Sequence, residues 1–181
     1  LTNIITDKSI EWIDKRDKQR PFCILIHHKA VHRNWLPELK YLNEYEDTTS
    51  PIPDTFYDDY EGRVAAAEQE MHILEDMDII YDTKMLKDDV ETHYKGAYLS
   101  FIGRLTPEER AQYDEAYAPI IKEFYEKQPQ GKELAEWKYQ RYMRDYAKVV
   151  KSLVDNVGRV LDYLKEQGLD KNTLVVYTSD Q

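Results

Sequence analysis

The chain ends on Leu174-Val175-Val176-Tyr177-Thr178-Ser179-Asp180-Gln181, a stretch that indicates its fold class. A continuous run of aliphatic and aromatic residues predicts a strand covered on both faces, as in parallel sheets. In open parallel α/β sheets, ligands bind outside the carboxyl ends of the strands. Asp180 and Gln181 occupy that end, where a carboxylate oxygen beside an amide oxygen suits a hard cation such as Ca²⁺. We therefore predict an α/β fold with a cation site at this strand end.

A second short apolar stretch, Phe22-Cys23-Ile24-Leu25-Ile26, predicts another buried strand. Cys23 lies inside it, so we expect a buried structural thiol rather than a nucleophile. The residues from 27 to 63 carry prolines and no clear periodicity, which predicts a long, mostly irregular excursion. Such an excursion in a compact domain tends to be functional.

The strongest helical pattern covers residues 132–167, and Gly168 fits a left-handed cap at its end. Inside this helix, Gly158 suggests a close backbone contact. An earlier helix is predicted to start at Thr106-Pro107, with a capping hydroxyl and a proline in the first turn. The apolar stripe of the long helix repeats every three or four residues and comprises Tyr139, Tyr142, Tyr146, Val149, Val150, Leu153, Val157, Val160, Leu161 and Leu164.

Composition excludes several classes of protein. The chain has 181 residues, of which 41% are hydrophobic and 33% charged, and this balance is typical of a globular domain rather than a disordered chain. Its net charge of −10 argues against a general nucleic-acid binder, which needs a basic face. No apolar run approaches the roughly 20 residues that span a bilayer. We expect neither nucleic acid nor a membrane span.

The segment after the first predicted strand concentrates chemistry-bearing side chains. It reads His27-His28-Lys29-Ala30-Val31-His32-Arg33-Asn34-Trp35 and forms a local cationic patch on an acidic protein. A sulfate or phosphate ester requires donors to its oxygens and an acid for its leaving oxygen, and histidine can serve either role near neutral pH. A solvated loop is the alternative interpretation. A zinc site is a weaker one, because no third soft ligand lies close in sequence.

The two predicted strand ends complement each other. Donors to an anion after the first strand and ligands to a cation after the second are what a metal-assisted ester hydrolase needs. A helical interaction module without catalysis is the alternative, since the long amphipathic helix and the acidic composition fit it as well.

Three stretches carry a resemblance to a known family: PFCILIHHKAVHRNWLPELKYLNEYED (residues 21–47), IPDTFYDDYEGR (52–63) and YMRDYAKVVKSLVDNVGRVLDYLKEQGLDKNTLVVYTSDQ (142–181). Together they resemble type I sulfatases, in particular bacterial arylsulfatases and N-acetylglucosamine-6-sulfatases acting on glycosaminoglycans. The resemblance implies an alkaline-phosphatase-like fold, with a mixed, mostly parallel sheet flanked by helices. It also implies a sulfated carbohydrate as substrate and a periplasmic or secreted location.

The resemblance also implies roles for individual residues. Asp180 and Gln181 match calcium-ligand positions, and His32, or His28 as second candidate, matches the group that contacts the sulfate and protonates the leaving alcohol. Substrate contacts are implied for the neighbouring residues of the same segment, which are Lys29, Arg33, Asn34 and Trp35.

The family's nucleophile is a formylglycine made within a C/S-x-P/A-x-R motif, and no such motif occurs in these residues. We therefore expect residues 1–181 to be the central part of a sulfatase catalytic domain, truncated at both ends. Its partners would be the remaining segments of the same polypeptide, and alone it would be inactive. A phosphodiesterase or phosphonate hydrolase of the same superfamily is the enzymatic alternative, because fold does not fix the ester.

Overall fold

The computed structural model describes residues 1–179, which divide into two compact units. Five α-helices and two short 3₁₀ turns form within these residues. The helices are α1 (Thr2–Lys15), α2 (Val64–Ala67), α3 (Lys95–Ile102), α4 (Pro107–Lys127) and α5 (Gly131–Glu166), and the turns are Leu39–Tyr41 and Asp170–Asn172.

The first unit consists of Leu1–His32 together with the residues from Val150 onward. Polar contacts join α1 to the later part of α5: the Asn156 amide donates to the Asn3 side chain at 2.8 Å, and the Tyr163 hydroxyl donates to Asp14 at 3.2 Å. Asn156 is fully buried. Its amide also donates to the Ser152 carbonyl at 2.8 Å, as a buried polar group must find partners.

The second unit, Arg33–Val149, is built around α4. This helix begins as the sequence predicts, with a capping box in which Thr106 accepts from the Glu109 backbone and Glu109 accepts from the Thr106 backbone. Its buried face carries aromatic residues at helical spacing. These pack with residues from other segments into a core of Leu42, Met85, Tyr113, Tyr117 and Phe124.

The two predicted strands are not formed in residues 1–179, where no residue lies in a strand. Leu25 is 78% exposed and Leu174 is 89% exposed, and Cys23 is exposed as well, so the prediction of a buried thiol is wrong. A strand requires backbone hydrogen bonds to a second strand about 4.8 Å away, and the described residues supply no such partner to either segment. The sheet of the predicted α/β class is therefore not confirmed.

The long helix is confirmed almost to the residue, and Gly168 after it adopts φ +67°, the left-handed conformation predicted for it. Its buried face, however, differs from the prediction. Apart from Val149 and Leu164, the predicted apolar stripe is only partly covered or exposed. The buried side chains instead form a polar stripe of Lys138, Arg141, Asp145, Lys148, Ser152 and Asn156. A Cβ atom added at Gly158 would meet no atom within 4 Å among the described residues, so this glycine marks no close contact.

Candidate active site

The predicted catalytic segment is irregular backbone, as expected from its sequence. A turn closes between the His32 backbone N–H and the Lys29 carbonyl at 2.9 Å. His28, Lys29 and His32 belong to the first unit, whereas Arg33, Asn34 and Trp35 belong to the second.

Within the first unit, the imidazoles of His28 and His32 have different environments. His32 is exposed, as is Lys29. His28 is half-buried, and its Nδ1 atom is buried with no hydrogen bond in the described part of the chain. Burial lowers the pKa of His28, because desolvation disfavours the imidazolium. The two imidazoles therefore differ in exposure: His28 is half-buried and His32 is exposed.

Within the second unit, Arg33 forms a bidentate pair with a carboxylate that the sequence did not single out. Its Nε and NH2 groups donate to the two oxygens of Asp82 at 2.7 and 2.6 Å. The guanidinium carbon also lies 5.3 Å from the ring centroid of Tyr81 and 5.1 Å from that of Tyr94. The hydrogen bond to Asp82 raises the pKa of Arg33 further. These contacts hold the Arg33 side chain in one orientation.

Asp82 is itself buried and fixed by the turn that contains it. Its Oδ2 atom accepts the Asp78 backbone N–H at 2.8 Å. The Asp78 carboxylate in turn accepts the backbone N–H groups of Ile80 and Tyr81 at 2.9 and 2.7 Å, and the Thr92 hydroxyl at 3.1 Å. Aspartate commonly organises its own turn in this way. Nothing in the sequence indicated that Asp82 pairs with a residue 49 positions earlier.

Asn34 and Trp35 are anchored in the same unit. The Asn34 amide donates to the Tyr81 carbonyl at 2.6 Å, while its Oδ1 atom is buried and makes no hydrogen bond among the described residues. The Trp35 ring lies edge-on to the ring of Tyr142 in α5, with centroids 4.5 Å apart. The ring centroids of Tyr142 and Tyr146 are 5.7 Å apart. The two tyrosines therefore pack, as their helical spacing indicates. The substrate contacts of Arg33, Asn34 and Trp35 stay a prediction, since their observed contacts are to the protein itself.

A buried ionic cluster in the second unit has no counterpart among the residues that the sequence singled out. Asp145 of α5 accepts from Arg141 at 2.6 Å and from the Tyr117 hydroxyl at 2.8 Å, and it lies 3.3 Å from the Lys84 ammonium. Burial acts to raise the pKa of Asp145, but the surrounding cations hold it below its usual value. Lys148 is a further cation within 3.5 Å.

Glu46 completes this cluster from the irregular excursion. It accepts two hydrogen bonds from Arg141, at 2.8 and 2.9 Å, and one from Lys148. The Glu46 side chain is 29% exposed, whereas the other charged residues of the cluster, Lys84, Arg141, Asp145 and Lys148, are at most 2% exposed. Its role is to tie the excursion to α5 and α4.

The predicted metal ligands Asp180 and Gln181 lie outside the described residues. Within residues 1–179, no group of three or more His, Cys, Asp and Glu side chains is arranged to hold a metal ion. No helix in the described part has the length and apolar character required to cross a bilayer.

Comparison with known proteins identifies the family. The sulfatase family profile matches residues 1–181. The chain is 43% identical over 187 aligned residues to an N-acetylglucosamine-6-O-sulfatase of Bacteroides thetaiotaomicron, covering 99% of this chain and 33% of that protein. It is also similar to the solved structure of BT4656 in complex with its substrate D-glucosamine-2-N,6-O-disulfate. That match has a TM-score of 0.87 and 41% identity, and it covers 95% of this chain and 35% of the other.

The chain thus spans about a third of the length of each of these two proteins. The family match extends over all of its residues, and the sequence relative and the structural relative agree with it. The chain belongs to the sulfatase family.

Proposed function

We propose that the protein hydrolyses sulfate esters of a sulfated amino sugar, such as the 6-O-sulfate of a glucosamine unit in a glycosaminoglycan. The observation that carries this proposal is the 43% identity to an N-acetylglucosamine-6-O-sulfatase along nearly the whole chain. The structural relative bound to a glucosamine disulfate supports the same class of substrate. An alkaline-phosphatase-like sheet that includes residues 22–26 and 174–177 is part of this proposal.

In this proposal, His32 contacts the sulfate and donates a proton to the leaving sugar oxygen. Its side chain is exposed, and general acid catalysis of this kind contributes about 10²–10⁴ in rate. Lys29, also exposed, donates to a sulfate oxygen. His28 is the second candidate for the acid. Burial lowers its pKa, and its buried Nδ1 atom makes no hydrogen bond in the described part of the chain.

Arg33, Asn34 and Trp35 hold the end of this segment on the second unit. The bidentate Arg33–Asp82 pair and the Asn34 bond to the Tyr81 carbonyl fix the backbone directly after His32. Fixing the groups around a reacting centre lowers the entropy that must be lost in the transition state. We propose that these three residues act on substrate through this anchoring as well as through direct contact.

The sulfatase family generally uses a divalent metal ion. The donor chemistry of Asp180 and Gln181, two hard oxygen ligands adjacent in sequence, fits Ca²⁺, and we propose them as part of its site. When bound, such an ion supplies positive charge next to the transferring group. We propose that the nucleophile is a formylglycine outside residues 1–181, since no C/S-x-P/A-x-R motif occurs within them.

Release of inorganic sulfate from D-glucosamine-2-N,6-O-disulfate by the intact protein tests the proposal. We expect one equivalent of sulfate to be released from the 6-position, and no phosphate from D-glucosamine 6-phosphate under the same conditions. Hydrolysis of the phosphate ester without the sulfate ester would instead identify a phosphohydrolase of the same superfamily. If the protein hydrolyses neither ester, the catalytic assignment is refuted.

A further inference from the structure

A groove in the second unit is built from the IPDTFYDDYEGR stretch, which has no role in the proposed chemistry. We call it the tyrosine groove. It has a volume of about 500 Å³ and lies between residues 55–60, residues 71–75 and the start of α5. Ligand sites for small molecules typically have a volume of roughly 300–1,000 Å³, with aromatic walls and a few polar groups.

One wall of the tyrosine groove is pinned to α5. The Gln140 side chain accepts a hydrogen bond from the Ser50 backbone N–H and donates one to the Ser50 carbonyl, each at 2.8 Å. The Tyr139 hydroxyl donates to the Pro51 carbonyl at 2.9 Å, and its ring contacts Phe56 with centroids 5.1 Å apart. These contacts hold the residues just before the lining, Ser50 and Pro51, and the Phe56 ring of the lining itself against α5.

The opposite wall is held by a buried lysine. The Lys138 ammonium donates to the carbonyls of Leu74 and Met77 at 2.7 and 2.6 Å. Desolvation lowers the pKa of Lys138, which means that keeping this side chain charged in the buried position costs free energy. His72 on the same wall is oriented by Asp76, which accepts its backbone N–H at 2.8 Å. Both walls of the groove are preorganised.

The lining combines aromatic faces with both donors and acceptors. Tyr57 is 49% exposed, and its hydroxyl donates to Glu136. The Lys132 ammonium lies 4.3 Å from the Tyr57 ring centroid. The carboxylates of Asp58 and Glu75 and the imidazole of His72 complete the polar lining.

This chemistry suits a sugar ring with free hydroxyl groups. An aromatic face packs on the apolar C–H face of a pyranose, while lysine and histidine donate to its hydroxyls and carboxylates accept from them. A sulfated ring fits poorly, because the carboxylates of Asp58 and Glu75 line the groove, and Arg63, the arginine that contacts this lining, is already paired with Asp58. We infer that the tyrosine groove binds an unsulfated pyranose unit of a glycan chain. This inference rests on the proposed function for its choice of glycan, and it assigns the groove a part in recognising units other than the one that loses sulfate.

The test uses N-acetyl-D-glucosamine and its β-linked trimer, neither of which carries sulfate, with the intact protein and saturation-transfer NMR titration. We expect the trimer to bind, with the Tyr57→Ala variant weakened about tenfold and Tyr57→Phe close to wild type, because the ring supplies the stacking. The matched control is Trp12→Ala, which removes an aromatic ring of nearly the same exposure (48%) from α1 in the other unit. Binding should also be insensitive to a roughly tenfold rise in salt, unlike binding of a sulfate group.

Equal binding by wild type and Tyr57→Ala, equal losses in Tyr57→Ala and Trp12→Ala, or no binding of the trimer would overturn this inference. Failure of the groove is distinguishable from failure of the proposed function. Sulfate release from the disulfated sugar together with Tyr57-independent trimer binding would refute the sugar-binding role of the groove and leave the proposed function standing. Tyr57-dependent trimer binding without sulfate release would refute the proposed sulfatase activity and leave the sugar-binding role of the groove standing.

Discussion

Replacing Asp145 with asparagine removes the central charge of the buried cluster while keeping the shape of the side chain. In the structure, this carboxylate lies within 3.5 Å of Lys84, Arg141 and Lys148, and Glu46 is the other anion of the cluster. Losing one partner of a buried ion pair costs about 3–5 kcal/mol, because the remaining charges stay desolvated. Burial already lowers the pKa of Lys84, so this lysine can lose its proton and bring the cost toward the lower figure.

The matched control is Asp114→Asn on α4. Arg110 and Asp114 are also an arginine–aspartate pair four residues apart on a helix, but the Asp114 side chain is 59% exposed. Exposed helical pairs of this kind are worth about 0.3–0.5 kcal/mol. The contrast between the two variants therefore isolates burial from the pairing itself.

Urea unfolding at neutral pH, followed by tryptophan fluorescence and by circular dichroism, measures both losses. With a slope of about 2–3 kcal/mol per M, the Asp145→Asn midpoint should fall by roughly 1–2.5 M, and that of Asp114→Asn by less than about 0.3 M. If Asp145→Asn loses no more free energy of unfolding than Asp114→Asn, the cluster does not stabilise the second unit as described.

Three further predictions concern the Arg33–Asp82 pair, the α4 cap and the buried tyrosines. Asp82→Asn should cost about 2 kcal/mol in free energy of unfolding by weakening the charged hydrogen bonds to Arg33, and an unchanged urea midpoint would contradict it. Thr106→Ala should cost about 1 kcal/mol by removing the α4 cap, and Thr106→Ser should restore most of it in the same assay. Burial raises the pKa of Tyr113 and Tyr117 well above the ordinary value of 10.0, so their contribution to stability is complete below that pH and is lost as pH rises toward the folded-state pKa. In an alkaline titration followed by phenolate absorbance, both should ionise only as the protein unfolds, and their ionisation in the folded protein near pH 10 would refute the assignment.

Local signals explain what the sequence predicted correctly. The start of α4, the extent of α5 and the left-handed Gly168 each depend on residues within a few positions, namely a capping hydroxyl, helical periodicity and a glycine. The irregular course of residues 27–63 follows in the same way from prolines and missing periodicity, interrupted only by the turn at Leu39–Tyr41.

Contacts between distant residues explain what the sequence could not predict. Arg33 and Asp82 are 49 positions apart, and Glu46 and Arg141 are 95 apart, so no local pattern marks either pair. The buried face of α5 was mispredicted for the same reason. Hydrophobicity predicted that the tyrosines and valines of α5 form its buried face. Instead, the buried face carries Arg141, Asp145 and Lys148. It is covered by Glu46, Lys84 and Tyr117.

The predicted strands show a different limit of prediction from sequence. Residues 22–26 and 174–177 have strand composition, but pairing is a property of two segments, and residues 1–179 supply no partner to either. Strand composition alone therefore predicted neither their pairing nor their burial in the described chain.

The measurement that tests the central claim most directly is the turnover number of the intact protein for D-glucosamine-2-N,6-O-disulfate, in wild type, His32→Ala and His27→Ala. Both histidines are exposed and lie on the same segment, so the His27 variant controls for loss of an imidazole. We expect kcat to fall by about 10²–10⁴ in His32→Ala and to stay near wild type in His27→Ala. Equal turnover in all three proteins would contradict the assignment of His32 as the sulfate-contacting acid, and with it the account of this segment as part of a sulfatase active site.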